Sequence, residues 1–159
     1  MQSQIHYQGS HQEYDVICEK NVQIKMSDGC NMATDIYFPA IEGRIIEDKF
    51  PIILERTPYN KSLPNTVLNG KYFARRGYIV AFQDVRGRYE SEGEWYPFAK
   101  EAPDGFETVE WLGSQKWSNG KVGTIGGSYC GSDQAALATL NPSHLSSMVV
   151  AVGASNYFH

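Results

Sequence analysis

No run of eighteen apolar residues occurs in the chain, so no segment is long enough to cross a membrane as a helix. The first fourteen residues, MQSQIHYQGSHQEY, lack the basic start and apolar stretch of a secretory leader, which makes a cytoplasmic location the expectation. Positive charge is not in excess. A net charge of −4 gives no reason to expect nucleic acid as a partner. Cysteine is sparse and odd in number, which suits a reducing compartment. If Asp28-Gly29 turns a hairpin, Met26 faces Cys30 and Cys18 faces a residue near Phe38. Cys18 and Cys30 are then too far out of register to bridge, so Cys18, Cys30 and Cys130 are all expected to be reduced. The histidines, His6, His11, His144 and His159, are scattered and no C-x-x-C occurs, so no metal site is expected. The phosphate-loop pattern G-x-x-x-x-G-K-[ST] is absent as well, and no cofactor is expected.

What is present is ordinary in amount and ordered in pattern. The 159 residues leave room for one domain with a real core, and 42% of them are hydrophobic. Residues 1–13 are polar and aperiodic and read as a loose arm, with the domain running from 14 to 159. Strands are predicted over 15–26 and 30–38 around the Asp28-Gly29 hairpin signal, the second ended by Pro39. A charged loop from Glu42 to Lys49 follows. Short apolar runs at 50–55 and 78–83 read as buried strands, the first covered on both faces, and 121–126 and 147–152 read as further strands. Helices are predicted over 66–76, ended by Gly77, over 103–115, opened by Pro103 and Asp104, and over 129–140. In the second of these, Phe106, Val109 and Leu112 recur on one face, while Asp104, Glu107 and Glu110 read as first turn and solvated face. The order β-β-β-α-β-α-β-α-β implies an α/β fold, a mostly parallel sheet opened by an antiparallel hairpin.

One turn carries chemistry. The stretch VGTIGGSYCG, residues 122–131, runs from a strand into a helix with Ser128 at the apex. In open parallel sheets, sites form at the C-terminal ends of strands. A nucleophilic serine there adopts strained dihedrals and needs small neighbours. Gly126 meets that need, Cys130 is small, and Gly131 lets the first helical turn approach the sheet. The rival reading is a glycine-rich turn with Ser128 as an ordinary helix N-cap. Dinucleotide binding is a poorer rival. G-x-S-x-x-G lacks the central glycine that admits a pyrophosphate, and no acid lies about twenty residues on, where Ser147 to Val150 stand.

Three segments together go further: Arg56-Thr-Pro-Tyr-Asn-Lys61; Gly77 to Arg88 running into Ser91-Glu-Gly-Glu94; and Trp117 to Gly123 leading into Gly126-Gly-Ser-Tyr-Cys-Gly131. This set resembles the cocaine esterase and X-Pro dipeptidyl-peptidase family of α/β-hydrolases, from about Val22 to His159. The resemblance implies hydrolysis of a small ester or amide substrate through an acyl-enzyme. It implies Ser128 as nucleophile, the backbone N–H of Tyr129 as one oxyanion donor and the hydroxyl of Tyr59 as the other. Without that company, Tyr59 reads as a loop aromatic over the sheet edge. Asp84, Arg86, Arg88 and Glu92 read as a loop held by ion pairs and turn hydrogen bonds. Two positions where amino-ester hydrolases of the family carry acids match Asn60 and Cys130, so the chain resembles the general esterase branch more.

A serine needs a histidine to take its proton and an acid to orient that histidine. In α/β-hydrolases the acid and then the histidine follow the serine in the chain. Only Asp133, His144 and His159 follow Ser128. Asp133 lies inside the next helix, and His144 lies beyond the far end of that helix, roughly 18 Å along its axis. The expectation is an α/β-hydrolase domain truncated after about its sixth strand, with acid and histidine downstream. The isolated chain is then inactive and self-associates through an exposed apolar edge. The alternative is a catalytically inactive fragment or interaction module.

Overall fold

A computed structural model of the chain describes residues 9–154. Its first two strands, β1 (Asp15–Lys25) and β2 (Asn31–Ile41), form the expected antiparallel hairpin. Met26 donates its N–H to the Cys30 carbonyl at 2.8 Å and Cys18 lies opposite Tyr37, so these two cysteines are unbridged. Pro39 does not end β2. Its carbonyl accepts from Ile46, on the side where pairing to the central sheet has already stopped at Tyr37, so the missing proline N–H deprives no ladder. The charged loop also holds an unpredicted two-residue strand, β3 (Arg44–Ile45), paired to the end of β2.

The remaining elements alternate: β4 (Phe50–Thr57), α1 (Pro64–Ala74), β5 (Ile79–Asp84), α2 (Glu101–Ser114), β6 (Ser118–Gly127), α3 (Tyr129–Ala138) and β7 (Leu145–Ala151). The sheet runs β1-β2-β5-β4-β6-β7. Strands β5, β4, β6 and β7 are parallel, and β2 joins β5 antiparallel. The chain therefore leaves β4 toward β5 and returns to its other side with β6. That reversal is the place where open α/β sheets leave a crevice at their C-terminal edge.

Both faces of the central strands are covered, which is why they read as unbroken apolar runs. On one face Val109 and Leu112 of α2 and Leu137 of α3 pack on Ile36, Phe38, Ile52, Leu54 and Val122. On the other, Ala74 of α1 joins Tyr37, Ile53, Val80 and Phe82. Helix α2 begins at Glu101, ahead of Pro103, and its buried stripe is Glu101, Asp104, Thr108, Val109 and Leu112. Asp104 is thus not on a solvated face. It takes a two-pronged ion pair from Arg86, Nη2–Oδ1 2.6 Å and Nε–Oδ2 2.9 Å, and is 2% exposed. Phe106 is only half-buried, off that stripe. Glu107 accepts from the N–H and hydroxyl of Ser27, pinning the hairpin turn to α2.

Strand β7 is an edge among the described residues and is exposed along most of its length, including Met148, Val149 and Val150. No described helix is long and apolar enough to cross a membrane.

Candidate active site

Ser128 stands between the end of β6 and the start of α3 with φ 56° and ψ −120°. A side chain other than glycine pays strain of order 1–3 kcal/mol in such a conformation, and it persists only where neighbours impose it. The neighbours are identifiable. The Ser128 N–H donates to the Ala151 carbonyl at 2.9 Å, and its own carbonyl accepts from Gly131 and Ser132 at 3.0 Å. A Cβ on Gly126 would come within 2.5 Å of the Cys130 carbonyl oxygen and 2.6 Å of its Cβ. One on Gly131 would come within 3.1 Å of Gly153 Cα. Small residues are therefore needed on both sides of the serine. The hydroxyl of Ser128 makes no capping bond to α3, and the residue is exposed, so the N-cap reading is not the one realised.

Cys130 replaces the glycine of the commonest elbow spelling because it faces β4. Its thiol is buried, and the Thr57 and Glu55 side chains act on its titration. Burial, opposed by Thr57, pushes the thiol up to about 12, so it is no rival nucleophile.

Tyr59 lies two residues past the end of β4, the strand beside β6 and parallel to it. The loop after β4 and the serine turn thus open at the same edge of the sheet. The ring of Tyr59 is half-exposed and its N–H is fixed on Thr57 Oγ1 at 3.0 Å. Its loop is clamped from β5. Asp84 accepts the Lys61 N–H at 2.9 Å and the Lys61 ammonium at 3.0 Å, with both side chains buried. The Lys61 ammonium also lies 3.7 Å from Asp35, which is paired to Lys20. Arg88 donates to the Pro58 carbonyl at 3.0 Å. Glu92 accepts from the N–H and side-chain amide of Asn31. The 84–92 loop is thus a set of ion pairs and hydrogen bonds, and two of its residues, Asp84 and Arg88, hold the segment that carries Tyr59.

Tyr129 opens α3, so its N–H is among the first-turn donors that a helix cannot satisfy itself. Its side chain is buried. The phenol donates to Glu101 Oε1 at 2.7 Å and accepts the Phe98 N–H at 3.0 Å, and the ring stacks on Phe98 at 4.3 Å. Burial pushes the phenol up, the Phe98 N–H opposes this, and Glu101 reinforces it. Glu101 is held in turn by Arg56, Nη1–Oε2 2.8 Å, with both side chains buried. Arg56 also donates to the Glu101 carbonyl and to Gln83 Oε1. Asp133 lies in this cluster. Burial lifts its carboxyl well above the usual range, against the pull of Arg56 and with the help of Glu101 and Glu55. Sequence reasoning passed over Arg56, Lys61 and Glu101. For Arg56 the available signal was the charged pair Glu55-Arg56 that continues the apolar run Pro51-Ile-Ile-Leu54, since a charge carried into a buried strand must find a partner.

The structure does not bring a histidine to Ser128 among the described residues. His144 immediately precedes β7, at the opposite end of the sheet, where its carbonyl accepts from Val122. Its ring Nδ1 lies 2.9 Å from the Gly120 carbonyl and its N–H donates to Glu110. His11 is exposed, beside Ser10, whose carbonyl takes a bond from Arg76 just beyond the end of α1. His6 and His159 lie outside the described residues. No cluster of possible metal ligands occurs among the described residues.

The family model described as X-Pro dipeptidyl-peptidase (S15 family) matches residues 28–159. A cocaine esterase of Rhodococcus sp. (strain MB1 Bresler) is 37% identical over 118 residues, 72% of this chain and 20% of that protein. A crystal structure of a CocE/NonD family hydrolase from Staphylococcus aureus superposes with a TM-score of 0.72 at 29% identity, covering 84% of this chain and 27% of that one. An α/β hydrolase of Penicillium sp. sh18, 19% identical, superposes with a TM-score of 0.71 over 86% of this chain and 46% of that one, a likeness of fold alone. The chain spans about a fifth of the length of the curated relatives it matches.

Proposed function

Since the chain belongs to the X-Pro dipeptidyl-peptidase (S15) family of hydrolases, we propose that it carries the nucleophile and oxyanion donors of a serine hydrolase acting on small esters or amides. The observation that carries this reading is Ser128 itself. It is exposed, held at φ 56° at the C-terminal edge of a parallel strand, and its hydroxyl is not used as a cap. Family membership and the neighbouring position of Tyr59 support it.

In this reading Ser128 Oγ attacks the acyl carbon, forming an O–C bond while its proton passes to a histidine. The carbonyl oxygen becomes an oxyanion, met by the Tyr129 N–H and the Tyr59 hydroxyl. Collapse breaks the bond to the alcohol or amine, which leaves with the proton and frees an acyl-enzyme for water to hydrolyse. Preorganised donors of this kind contribute most of their effect as the charge develops. The histidine and its orienting acid are assigned to positions outside residues 9–154, because His144 is committed to the far end of the sheet.

The test is labelling of the full-length protein with a fluorophosphonate, followed by peptide mass spectrometry. The adduct is expected on Ser128 and lost in Ser128→Ala. Labelling at another serine, or equal hydrolysis of p-nitrophenyl acetate by Ser128→Ala, would overturn the reading.

A further inference from the structure

Every S-Y-x-G turn of this kind needs only a backbone N–H after the serine, so the tyrosine side chain at 129 calls for its own explanation. Nothing in the chemistry of an oxyanion donor requires a phenol there, and a buried hydroxyl must be partnered. Here it is partnered twice. The phenol donates to Glu101 Oε1 at 2.7 Å and accepts the Phe98 N–H at 3.0 Å. Glu101 is locked from the other side by Arg56, which reaches both its carboxylate and its backbone carbonyl. Arg56 is the penultimate residue of β4, the strand that leads to Tyr59, and its Nε is fixed on Gln83 of β5. A continuous chain therefore runs from β5 and β4 through Arg56 and Glu101 to the first residue of α3.

We propose that Glu101, braced by Arg56, is a positioning residue that acts through the Tyr129 hydroxyl to fix the direction of the Tyr129 N–H. The inference rests on the serine-hydrolase reading and adds to it a use for the tyrosine ring. The ring and the N–H share one Cα. Anchoring the far end of the ring, about 6–7 Å from that Cα by standard bond lengths, limits rotation of the first peptide of α3. Within α3 that peptide is held only at its carbonyl end, where the Ser128 C=O accepts from Gly131 and Ser132, and the ring anchor adds a second hold from outside the helix. The same strut sets the first turn of α3 relative to the end of β4, and so places the two donors on one frame.

The test uses Tyr129→Phe, which keeps the ring and removes the strut, and Glu101→Gln, which keeps an acceptor for the hydroxyl but loses the charge. In the full-length protein, the rate of fluorophosphonate labelling of Ser128 is measured beside amide exchange in 15N-labelled protein. Tyr129→Phe is expected to slow labelling roughly tenfold to a hundredfold, the scale of a small misplacement of a reacting group. Exchange of the amide at 129 should rise while that of Leu137, deep in α3, stays unchanged. Glu101→Gln should recover most of the labelling rate. Equal labelling and equal exchange at 129 in Tyr129→Phe would overturn the strut. So would a uniform rise in exchange along α3 with an unchanged labelling rate per folded molecule, since the hydroxyl would then serve stability alone. No labelling of the unaltered protein would instead overturn the hydrolase reading, and the strut's catalytic purpose with it.

Discussion

The two turns that frame Ser128 are held by opposite means. The loop after β4 is held by charge: Lys61 on Asp84 and Arg88 on the Pro58 carbonyl. The turn after β6 is held by close packing, with Gly126 against Cys130 and Gly131 against Gly153. The two tyrosines divide their ends in the same contrary way. Tyr59 commits its N–H to Thr57 and leaves its ring half-exposed. Tyr129 commits its ring to Glu101 and Phe98, and its N–H lies in the first turn of α3. In the proposed oxyanion roles, each residue has one end fixed and the other presented, and either end can be the fixed one.

The contrast can be broken at four points. Asp84→Ala removes the 3.0 Å partner of the buried Lys61 ammonium and leaves it only the longer 3.7 Å contact to Asp35, and a loss of about 3–5 kcal/mol is expected in urea unfolding. A loss under about 1 kcal/mol would mean that the loop does not depend on the pair. Tyr59→Phe should lower turnover of a p-nitrophenyl ester by ~10²–10³ with an unchanged melting temperature, because the hydroxyl makes no hydrogen bond among the described residues. A fall in melting temperature to match would reduce Tyr59 to a structural residue. Gly126→Ala tests the packed turn. Overpacking of about 1–3 kcal/mol is expected, read from urea midpoints; an unshifted midpoint would show that the turn can relax.

The fourth point is the pH dependence of the buried cluster. Burial raises the folded-state carboxyl of Asp133. The folded state therefore holds that proton more tightly, and the stability it adds is full below the ordinary carboxylate range. It is lost as pH rises through the raised value. Asp133→Asn should match the unaltered protein near pH 4 and exceed it near pH 8 in urea midpoint. A variant less stable at pH 8 would reverse the sign. The smallest effect is expected at the edge. We propose weak self-association through β7, where Val149 is 63% exposed, and Val149→Lys should shift sedimentation toward monomer.

Local patterns carried most of the fold. The apolar runs of β4 and β5, the Asp28-Gly29 hairpin and the small residues around Ser128 were legible because each is written in consecutive residues. The failures had local causes too. Pro39 read as a stop because a missing N–H matters only where a ladder bond needs it; the pairing of β2 to β5 ends at Tyr37, and β2 continues past Pro39 against β1 and the short β3. Asp104 read as a surface acid because helix charge patterns do not reveal a partner eighteen residues away in the chain.

The sequence by itself determined the alternation of strands and helices, the serine at a strand-to-helix apex and the tyrosine after it, since dihedral strain and hydrophobic periodicity act between near neighbours. Only the tertiary structure decided which charges meet. Lys61 finds Asp84 because β5 lies beside β4, and Arg56 finds Glu101 because α2 crosses that same face. Buried ionic groups must be paired, but the choice of partner is made by strand order and helix placement, which no short stretch of sequence contains.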